Sequence, residues 1–306
     1  MSGEDLPVAD LEALLGEQVR SVRALDPGYS GHTNDVWLVT TVGEQVVVRA
    51  PAGGAWAPEP WSEPFWWGAH HLFGLDPRRL GDLGILSARI SALGPLPVPC
   101  VLRQGMLGGR HCVVVQRMPG QRLETLRGAP PTLAEGLGEA LAHIHAAHHA
   151  HWGHPVAEPR HPLDTFWTDL ADTVREMALR WPAPGTGLDR WVERAARAAQ
   201  RLPPPGHGAL IMLDLDPTQF LAEEGRLTAV VDTEAYALGP AAWDLVAAEY
   251  LLDAHGAAAF ARGYRRVAPL PRLEEMRLPL RVLARLLEIQ GGVEIETWMV
   301  QPALFP

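Results

Sequence analysis

The pattern of apolar residues changes at Pro119–Gly120, and this change constrains the fold more than any other feature of the chain. Before it, β-branched runs are separated by glycine-containing turns, as in NDVWLVTTVGEQVVVRAP, which is typical of antiparallel strands. After it, apolar residues recur at every third or fourth position, which predicts helices. We therefore expect an α+β chain with a small lobe of antiparallel strands, residues 1–118, and a larger, mainly helical lobe, residues 119–306.

The small lobe is predicted to contain a strand pair, a helix and a hairpin. The strands meet at Gly43–Glu44. Residues 78–93 are predicted to be helical because their apolar residues share one face at helical spacing. These residues are Leu83, Leu86, Ile90 and Leu93. A hairpin should then turn at Gly108–Gly109.

In the larger lobe, Thr132 and Glu135 form a capping-box signature that predicts the start of a helix there. The apolar stripe of that helix continues to Ile144. Further helices are expected at about 165–180 and 187–201. A buried strand, Leu227 to Val231, should follow.

The hairpin fixes the environment of the two cysteines. A turn at Gly108–Gly109 places Cys100 opposite Arg117 and Cys112 opposite Gly105. Two sulfur atoms in these positions are too far apart to bond without distortion. The sequence therefore predicts two free thiols and a reducing compartment.

Composition excludes several classes of protein. With 47% hydrophobic and 20% charged residues, the chain is globular rather than disordered. A formal net charge of -10 leaves no basic face for nucleic acid. No apolar run reaches the roughly 18–20 residues of a membrane helix, and the acidic N-terminus argues against a secretion signal. We therefore expect a cytoplasmic protein with no nucleic-acid or membrane partner.

Three polar side chains between residues 214 and 232 carry the strongest chemical signal. Asp214 precedes Pro217, Gln219 lies five residues after Asp214, and Asp232 ends an apolar strand. Phosphoryl transfer from a nucleotide needs a carboxylate to orient the attacking hydroxyl and oxygen ligands for Mg²⁺. Asp214 is the candidate catalytic residue, and Gln219 and Asp232 are the candidate metal ligands.

These segments, MLDLDPTQFL and VVDTE, resemble the catalytic loop and metal motif of the aminoglycoside phosphotransferase and choline kinase superfamily. Six further motifs agree in order, and together the matches run from about residue 25 to 252. The resemblance implies a bilobal, protein-kinase-like fold and a phosphotransferase that uses ATP, or another nucleoside triphosphate, and Mg²⁺. It also implies a hinge at Met118–Gln121.

The resemblance also assigns the nucleotide site. GYSGHTNDVWLV looks like the glycine-containing loop, which implies Gly28, Gly31 and Asn34 as phosphate-binding residues. VVVRAP looks like the strand with the phosphate-binding base, here Arg49. QRMPGQRL looks like the hinge, with Gln116 and Met118 against the nucleotide.

The chain departs from the family pattern at the catalytic loop and at the base. Met212 and Leu213 replace His and Gly before the catalytic Asp, and Gln219 replaces Asn. Glutamine keeps an amide oxygen, but its extra methylene moves that oxygen by about 1.5 Å. Arg49 replaces lysine, and all 26 basic residues are arginine. A guanidinium keeps its charge and can bridge phosphate oxygens.

The helix glutamate that pairs with the base in the family is missing. Asp82 is the nearest acid and shares a face with Leu86 and Ile90, which predicts an ion pair with Arg49. The alternative is that Asp82 caps a helix turn near Gly81. Glu234 could support the metal or pair with an arginine, and the sequence does not decide between them.

Two compositional clusters have competing explanations. Seven histidines lie between residues 143 and 161, and His145 and His149 have the spacing of two zinc ligands. No cysteine joins them, which favours structural and surface roles. The tryptophan-rich segment 56–67 is an insertion or lid, or packs its rings against the lobe.

The sequence thus predicts an ATP- and Mg²⁺-dependent kinase acting on a hydroxyl of a small polar molecule. From Arg122 onward there are 24 acids against 17 arginines, which favours a cationic substrate. The rival hypothesis is a nucleotide-binding regulatory module with little transfer activity, supported by Met212, Gln219 and the missing glutamate. The sequence predicts no particular oligomeric state.

Overall fold

The computed structural model describes residues 7–25, 33–52 and 60–306. Its first part is an antiparallel sheet of five strands in the order β1-β2-β3-β5-β4. The strands are β1 (Val19–Ala24), β2 (Asn34–Thr41), β3 (Gln45–Pro51), β4 (Val101–Leu107) and β5 (Arg110–Gln116). Helix α1 (Val8–Leu15) precedes the sheet.

Alternation of side chains gives this sheet two apolar faces. On one face, Val39, Val46 and Val48 pack with Leu11 of α1. On the other, Val113 and Val115 pack with residues just before and at the start of α3 (Leu83–Leu93). The sheet is therefore covered on both sides.

Helix α2 (Pro64–Phe73) extends away from the sheet and joins the helical core. Phe73 contacts Trp152 and Phe166 edge-on or tilted, with ring centroids 6.1 and 6.4 Å apart. Gly68 lies so close to Leu287 that an added Cβ would be 2.5 Å from its Cδ2 atom. Residues that precede the predicted lobe boundary thus pack inside the larger core.

That core is built from helices and short strands. The helices are α4 (Pro131–His145), α5 (Phe166–Arg180), α6 (Leu188–Ala199), α7 (Ala242–Leu251), α8 (Ala254–Arg265), α9 (Arg277–Leu286) and α10 (Ile295–Met299). The strands are β6 (Gln121–Arg122), β7 (His151–Gly153), β8 (Arg160–Pro162), β9 (Ala209–Met212), β10 (Phe220–Glu223), β11 (Arg226–Val230) and β12 (Tyr236–Gly239). They form sheets in the orders β11-β10-β6 and β8-β7-β12-β9.

Helices α4 and α8 approach closely because glycines lie at their crossing. A Cβ on Gly138 would lie 2.1 Å from the carbonyl oxygen of Phe260, and one on Gly263 would lie 1.9 Å from that of Glu135. Such distances exclude any side chain. The crossing aligns His145 of α4 with Tyr264 of α8.

The α+β prediction is confirmed, with an antiparallel sheet followed by a mainly helical region. The predicted helix stripes are also confirmed, since Leu86, Ile90, Leu137 and Ile144 are buried. In the described part of the chain, no helix is both long and apolar enough to cross a membrane.

Two local predictions are wrong in detail. Helix α4 begins at Pro131, with Pro130 at the N-cap, so Thr132 is not the capping residue. The Thr132 hydroxyl instead donates to the carbonyl oxygen of Gly225 at 2.6 Å. This proline start suits the first helical position, whose N–H needs no partner.

The hairpin register is as predicted from Leu107–Arg110 to Gly105–Cys112. A bulge between Val101 and Arg103 then shifts the pairing by one residue. The backbone N–H of Gln116, rather than a group of Arg117, therefore donates to the carbonyl oxygen of Cys100 at 3.0 Å. Both thiols are free.

Candidate active site

The catalytic loop leaves β9 and brings Asp214 and Gln219 together. Asp216 accepts from the backbone N–H of Thr218 at 2.9 Å and from its hydroxyl at 2.6 Å, which closes a turn over Pro217–Gln219. The turn directs the buried Gln219 side chain back, so its Nε2 donates to Asp214 Oδ2 at 3.2 Å. The longer amide thus still reaches the carboxylate of Asp214, the candidate catalytic residue.

The pKa of the Asp214 carboxyl group lies near neutral pH. Burial disfavours its charge, and the nearby negative charges of Asp232 and Asp216 add to this effect. The hydrogen bond from Gln219 opposes them, and the resulting pKa is about 7. A carboxylate with such a pKa can orient and accept a proton near physiological pH.

Asp232 follows β11 and lies opposite Arg49 of β3. The Arg49 Nη2 atom is 2.7 Å from Asp232 Oδ1. Burial opposes ionisation of Asp232, but the Arg49 guanidinium outweighs it and lowers the pKa of Asp232 to about 2. The Asp232 side chain is 43% exposed, although its Oδ1 atom accepts a hydrogen bond from Arg49.

The backbone of Asp232 is held in the left-handed region, with φ 63°. For a residue other than glycine this conformation costs of order 1–2 kcal/mol. It begins a short 3-10 turn over Thr233–Ala235, in which the Leu213 N–H donates to the Ala235 carbonyl oxygen at 2.9 Å. The strained backbone thus ties the metal-motif segment to the catalytic loop.

Glu234 is the residue whose role the sequence left open. Its carboxylate pairs with Arg49, and Asn34 donates to Glu234 Oε1 at 3.4 Å. Burial raises the pKa of Glu234. The sequence signal was the acid two residues after Asp232, and in the structure this acid pairs with Arg49.

The predicted ion pair between Arg49 and Asp82 is not formed. Both residues are described, and Arg49 pairs with Asp232 and Glu234, whereas Asp82 lies 2.9 Å from Arg79. Asp82 precedes α3 but makes no side-chain cap. The apolar helix face was read correctly, but it does not determine which arginine reaches the acid.

Asp82 and Glu234 both line a small cavity. Its volume is about 30 Å³, and its wall includes Pro77 and His154 as well as the two acids. That space suits one or two waters. Pro77, one of the wall residues, accepts a hydrogen bond from Asn34 of β2 at its carbonyl oxygen, at 3.3 Å.

The other predicted nucleotide-site residues are distributed as follows. Asn34 is buried at the start of β2, where it contacts Glu234. Gln116 is exposed at the end of β5 and accepts from the Cys100 thiol at 3.4 Å. Met118 is buried just beyond it. Gly28 and Gly31 lie outside the described residues.

A buried network supports the catalytic loop, and sequence reasoning did not anticipate it. Asp244 of α7 is fully buried and accepts from the Met212 N–H and from His145 Nε2, both at 2.9 Å. His145 Nδ1 lies 2.9 Å from the Tyr264 hydroxyl. The available signal was an acid inside an apolar helix, which requires a buried partner.

Hard oxygen donors at this site fit Mg²⁺. Asp232 presents a charged, partly exposed carboxylate, and the Gln219 amide nitrogen donates to Asp214, which leaves its oxygen as the acceptor. Over the described ranges, no three His, Cys, Asp or Glu side chains form a metal-binding group. Mg²⁺ characteristically uses one or two protein ligands together with substrate phosphates.

Comparison with known families agrees with this arrangement. A family model described as the phosphotransferase enzyme family matches residues 26–278. The chain belongs to this family. The match includes strand β3, which carries Arg49, and the loop that carries Asp214. Comparison with curated protein sequences gave no significant match.

Several solved structures share the fold at low sequence identity. A putative fructosamine-3-kinase from Thermobifida fusca is 19% identical, with a TM-score of 0.63 over 95% of each chain. The macrolide 2'-phosphotransferase apoenzyme from Brachybacterium faecium is 19% identical, with a TM-score of 0.57 over 92% of this chain and 86% of that one. A spectinomycin phosphotransferase, in complex with ADP and spectinomycin, is 11% identical, with a TM-score of 0.61 over 94% and 87%.

Proposed function

We propose that this protein is an ATP- and Mg²⁺-dependent kinase that phosphorylates a hydroxyl of a small polar molecule. The observation that carries the proposal is the pairing of Gln219 with Asp214, beside Asp232 and Arg49. Membership of the phosphotransferase family supports the reaction type. The neighbour that holds ADP and spectinomycin supports a nucleotide donor and a small acceptor.

Each side chain has a defined task in this proposal. Asp214 orients the acceptor hydroxyl and takes its proton, and Gln219 fixes the carboxylate for that task. Arg49 offers a positive charge to the phosphates. Asp232 and Gln219 would hold Mg²⁺, which, when bound, neutralises charge on the phosphate oxygens. Asn34 and the segment Gln116–Met118 would line the nucleotide site.

We further propose a cationic acceptor, such as an aminoglycoside, an amino alcohol or a glycated amine. The excess of acids after Arg122, 24 against 17 arginines, supports it. Long-range attraction raises the local concentration of a ligand of opposite charge. A screen of these three compound classes, with ATP consumption as the readout, tests the acceptor. Turnover confined to neutral or acidic acceptors would contradict this part of the proposal.

A pair of variants tests the catalytic assignment. Asp214→Ala should keep nucleotide binding but lose turnover by about a hundredfold to ten-thousandfold, because general acid–base groups contribute that much. Gln219→Ala should weaken binding of Mg²⁺-ATP and leave metal-free ATP binding nearly unchanged. Asp189→Asn, at an exposed acid of α6, is the control and should alter neither.

The outcome that contradicts the kinase is specific. Wild-type protein would bind ATP equally well with and without Mg²⁺, and Gln219→Ala would change nothing. Binding is measured by calorimetry, and turnover by a coupled ADP-release assay. That result would favour a nucleotide-binding regulatory module on the same fold.

A further inference from the structure

The base of the phosphate site is held by an unusual partner. Helix α3 contains no acid, since its sequence is LGILSARISAL. The acid just before it, Asp82, is engaged by Arg79 at 2.9 Å. The helix therefore does not supply the carboxylate that positions Arg49.

Glu234, in the turn that follows β11, supplies a carboxylate to Arg49 instead. Its carboxylate pairs with Arg49, and both side chains are largely buried, being 10% and 13% exposed. Asn34 of β2 bridges the pair to the chain before α3, because it donates both to Glu234 and to the Pro77 carbonyl oxygen. Glu234 thus contacts the sheet through two strands.

The two carboxylates beside Arg49 differ in their exposure to solvent. The Asp232 side chain is 43% exposed, about four times as much as that of Glu234. An exposed carboxylate can leave Arg49 for solvent or a metal ion at low cost, and a phosphate can take its place. A buried ion pair is costly to break. Asp232 is therefore the exchangeable partner and Glu234 the lasting one.

We propose that Glu234 is the positioning residue of Arg49 and replaces the absent helix glutamate. This assignment rests on the proposed function, because it concerns how Arg49 meets the nucleotide phosphates. Glu234 holds the guanidinium at the end of β3 while Asp232 is free to leave it. The position of the phosphate-binding base thus depends on the metal-motif segment rather than on α3.

The test compares ATP with adenosine, which has no phosphates, in the absence of Mg²⁺. Glu234→Ala should weaken ATP binding about tenfold or more, because a positioned charge-assisted contact is lost, and should leave adenosine binding unchanged. Glu234→Gln keeps an acceptor for Arg49 and Asn34 and should lose less. Glu234→Gln also keeps the proposal testable if the alanine variant fails to fold.

The double variant with Arg49→Ala isolates the mechanism. If Glu234 acts through Arg49, Glu234→Ala should have no further effect on ATP affinity once Arg49 is removed. Asp35→Ala removes a comparable pair in the same sheet, Asp35 with Arg110 at 2.8 Å. It is the matched control and should leave the ratio of ATP to adenosine affinity unchanged.

Several results would overturn the assignment. ATP could bind more tightly to Glu234→Ala, which would make Glu234 merely a repelling acid. The loss could persist without Arg49, appear only with Mg²⁺, or be equalled by Asp82→Asn. If wild-type protein binds ATP no more tightly than adenosine, the phosphate site and the proposed function fail as well. Tight wild-type binding with unaltered Glu234 variants defeats only the role of Glu234.

Discussion

The support of the catalytic loop by Asp244 makes a quantitative prediction. Asp244 is fully buried and accepts from the Met212 N–H and from His145. Met212 lies two residues before Asp214, so this contact fixes the start of the loop. Asp244→Ala would leave the Met212 N–H and the imidazole of His145 without their partner in the protein interior.

The magnitude follows from these two contacts. Each charge-assisted hydrogen bond contributes about 1.5–3 kcal/mol, and removal of one partner leaves buried groups unsatisfied. Burial raises the pKa of Asp244, so relief of its desolvation offsets part of the loss. The expected net cost in free energy of unfolding is about 3–5 kcal/mol. At about 2 °C per kcal/mol for a chain of this size, the melting temperature should fall by about 6–10 °C.

Activity should fall beyond the loss of folded protein. A displacement of about 1 Å in a catalytic group can cost about a hundredfold in rate. Turnover by Asp244→Ala, measured at a temperature where it is folded, should therefore drop by about that factor. The KM for ATP should change little, because Arg49 and Asp232 do not contact Asp244.

Asp253→Ala is the matched control. Asp253 also accepts backbone N–H groups, from Gly256 at 2.8 Å and Gly128 at 3.1 Å, but at the exposed start of α8. It should change neither turnover nor KM. Thermal unfolding by circular dichroism and steady-state kinetics provide the measurements. Equal melting temperatures for Asp244→Ala and wild type would refute the supporting role assigned to the buried network.

Two further predictions concern stability. Burial raises the pKa of Asp214 to about 7, so this group's contribution to stability is fully present below its unfolded value near 4 and is lost as pH rises through 7. Without metal, the free energy of unfolding of Asp214→Asn should therefore rise relative to that of wild type by about 2–3 kcal/mol between pH 5 and pH 8, as measured by urea unfolding. A difference between the two proteins that stays constant over this pH range would contradict the shifted pKa. Glu249 is fully buried against Arg281 at 2.7 Å, so Glu249→Ala should cost about 3–5 kcal/mol in the same assay. The control is Glu296→Ala, at an exposed acid. Equal unfolding midpoints for Glu249→Ala and wild type would show that the buried pair contributes nothing to stability.

Candidate site residues were easier to infer from the sequence than the partners of their side chains. Asp214, Gln219 and Asp232 stand at fixed distances from a strand and a proline, so local order in the chain was enough to propose their roles. The partner of Arg49 was a question of which element crosses β3 in space, and helical periodicity carries no such information. The predicted ion pair with Asp82 was therefore wrong, and for Glu234 the sequence left open whether it supports the metal or pairs with an arginine.

Some predictions failed because a single residue changes a local rule. The bulge between Val101 and Arg103 moves Cys100 by one position, and nothing in the alternation of apolar residues marks it. Pro131 begins α4, although Thr132 and Glu135 satisfy the spacing of a capping box. The tryptophan-rich segment does pack its described rings. Trp61 contacts His70 nearby at 4.2 Å between centroids, and Trp67 contacts the distant Trp181 at 5.7 Å.

The docking of α2 has a consequence for how the chain is made. In the folded protein Phe73 packs against Phe166, and Gly68 lies against Met177 and Leu287. During synthesis α2 therefore leaves the ribosome long before the residues that it packs against. The five-stranded sheet can be completed once residue 116 has emerged, but the apolar face of α2 then still lacks its cover. Such transient apolar surface is what chaperones bind and what drives aggregation.

A fragment that stops near residue 118 should therefore expose Leu72 and Phe73, which are buried in the complete fold. Contacts this distant in sequence also slow folding, because the entropy of closing a long loop is lost before the stabilising contact forms. Helix α2 thus depends, for its full burial, on residues translated up to about two hundred positions later.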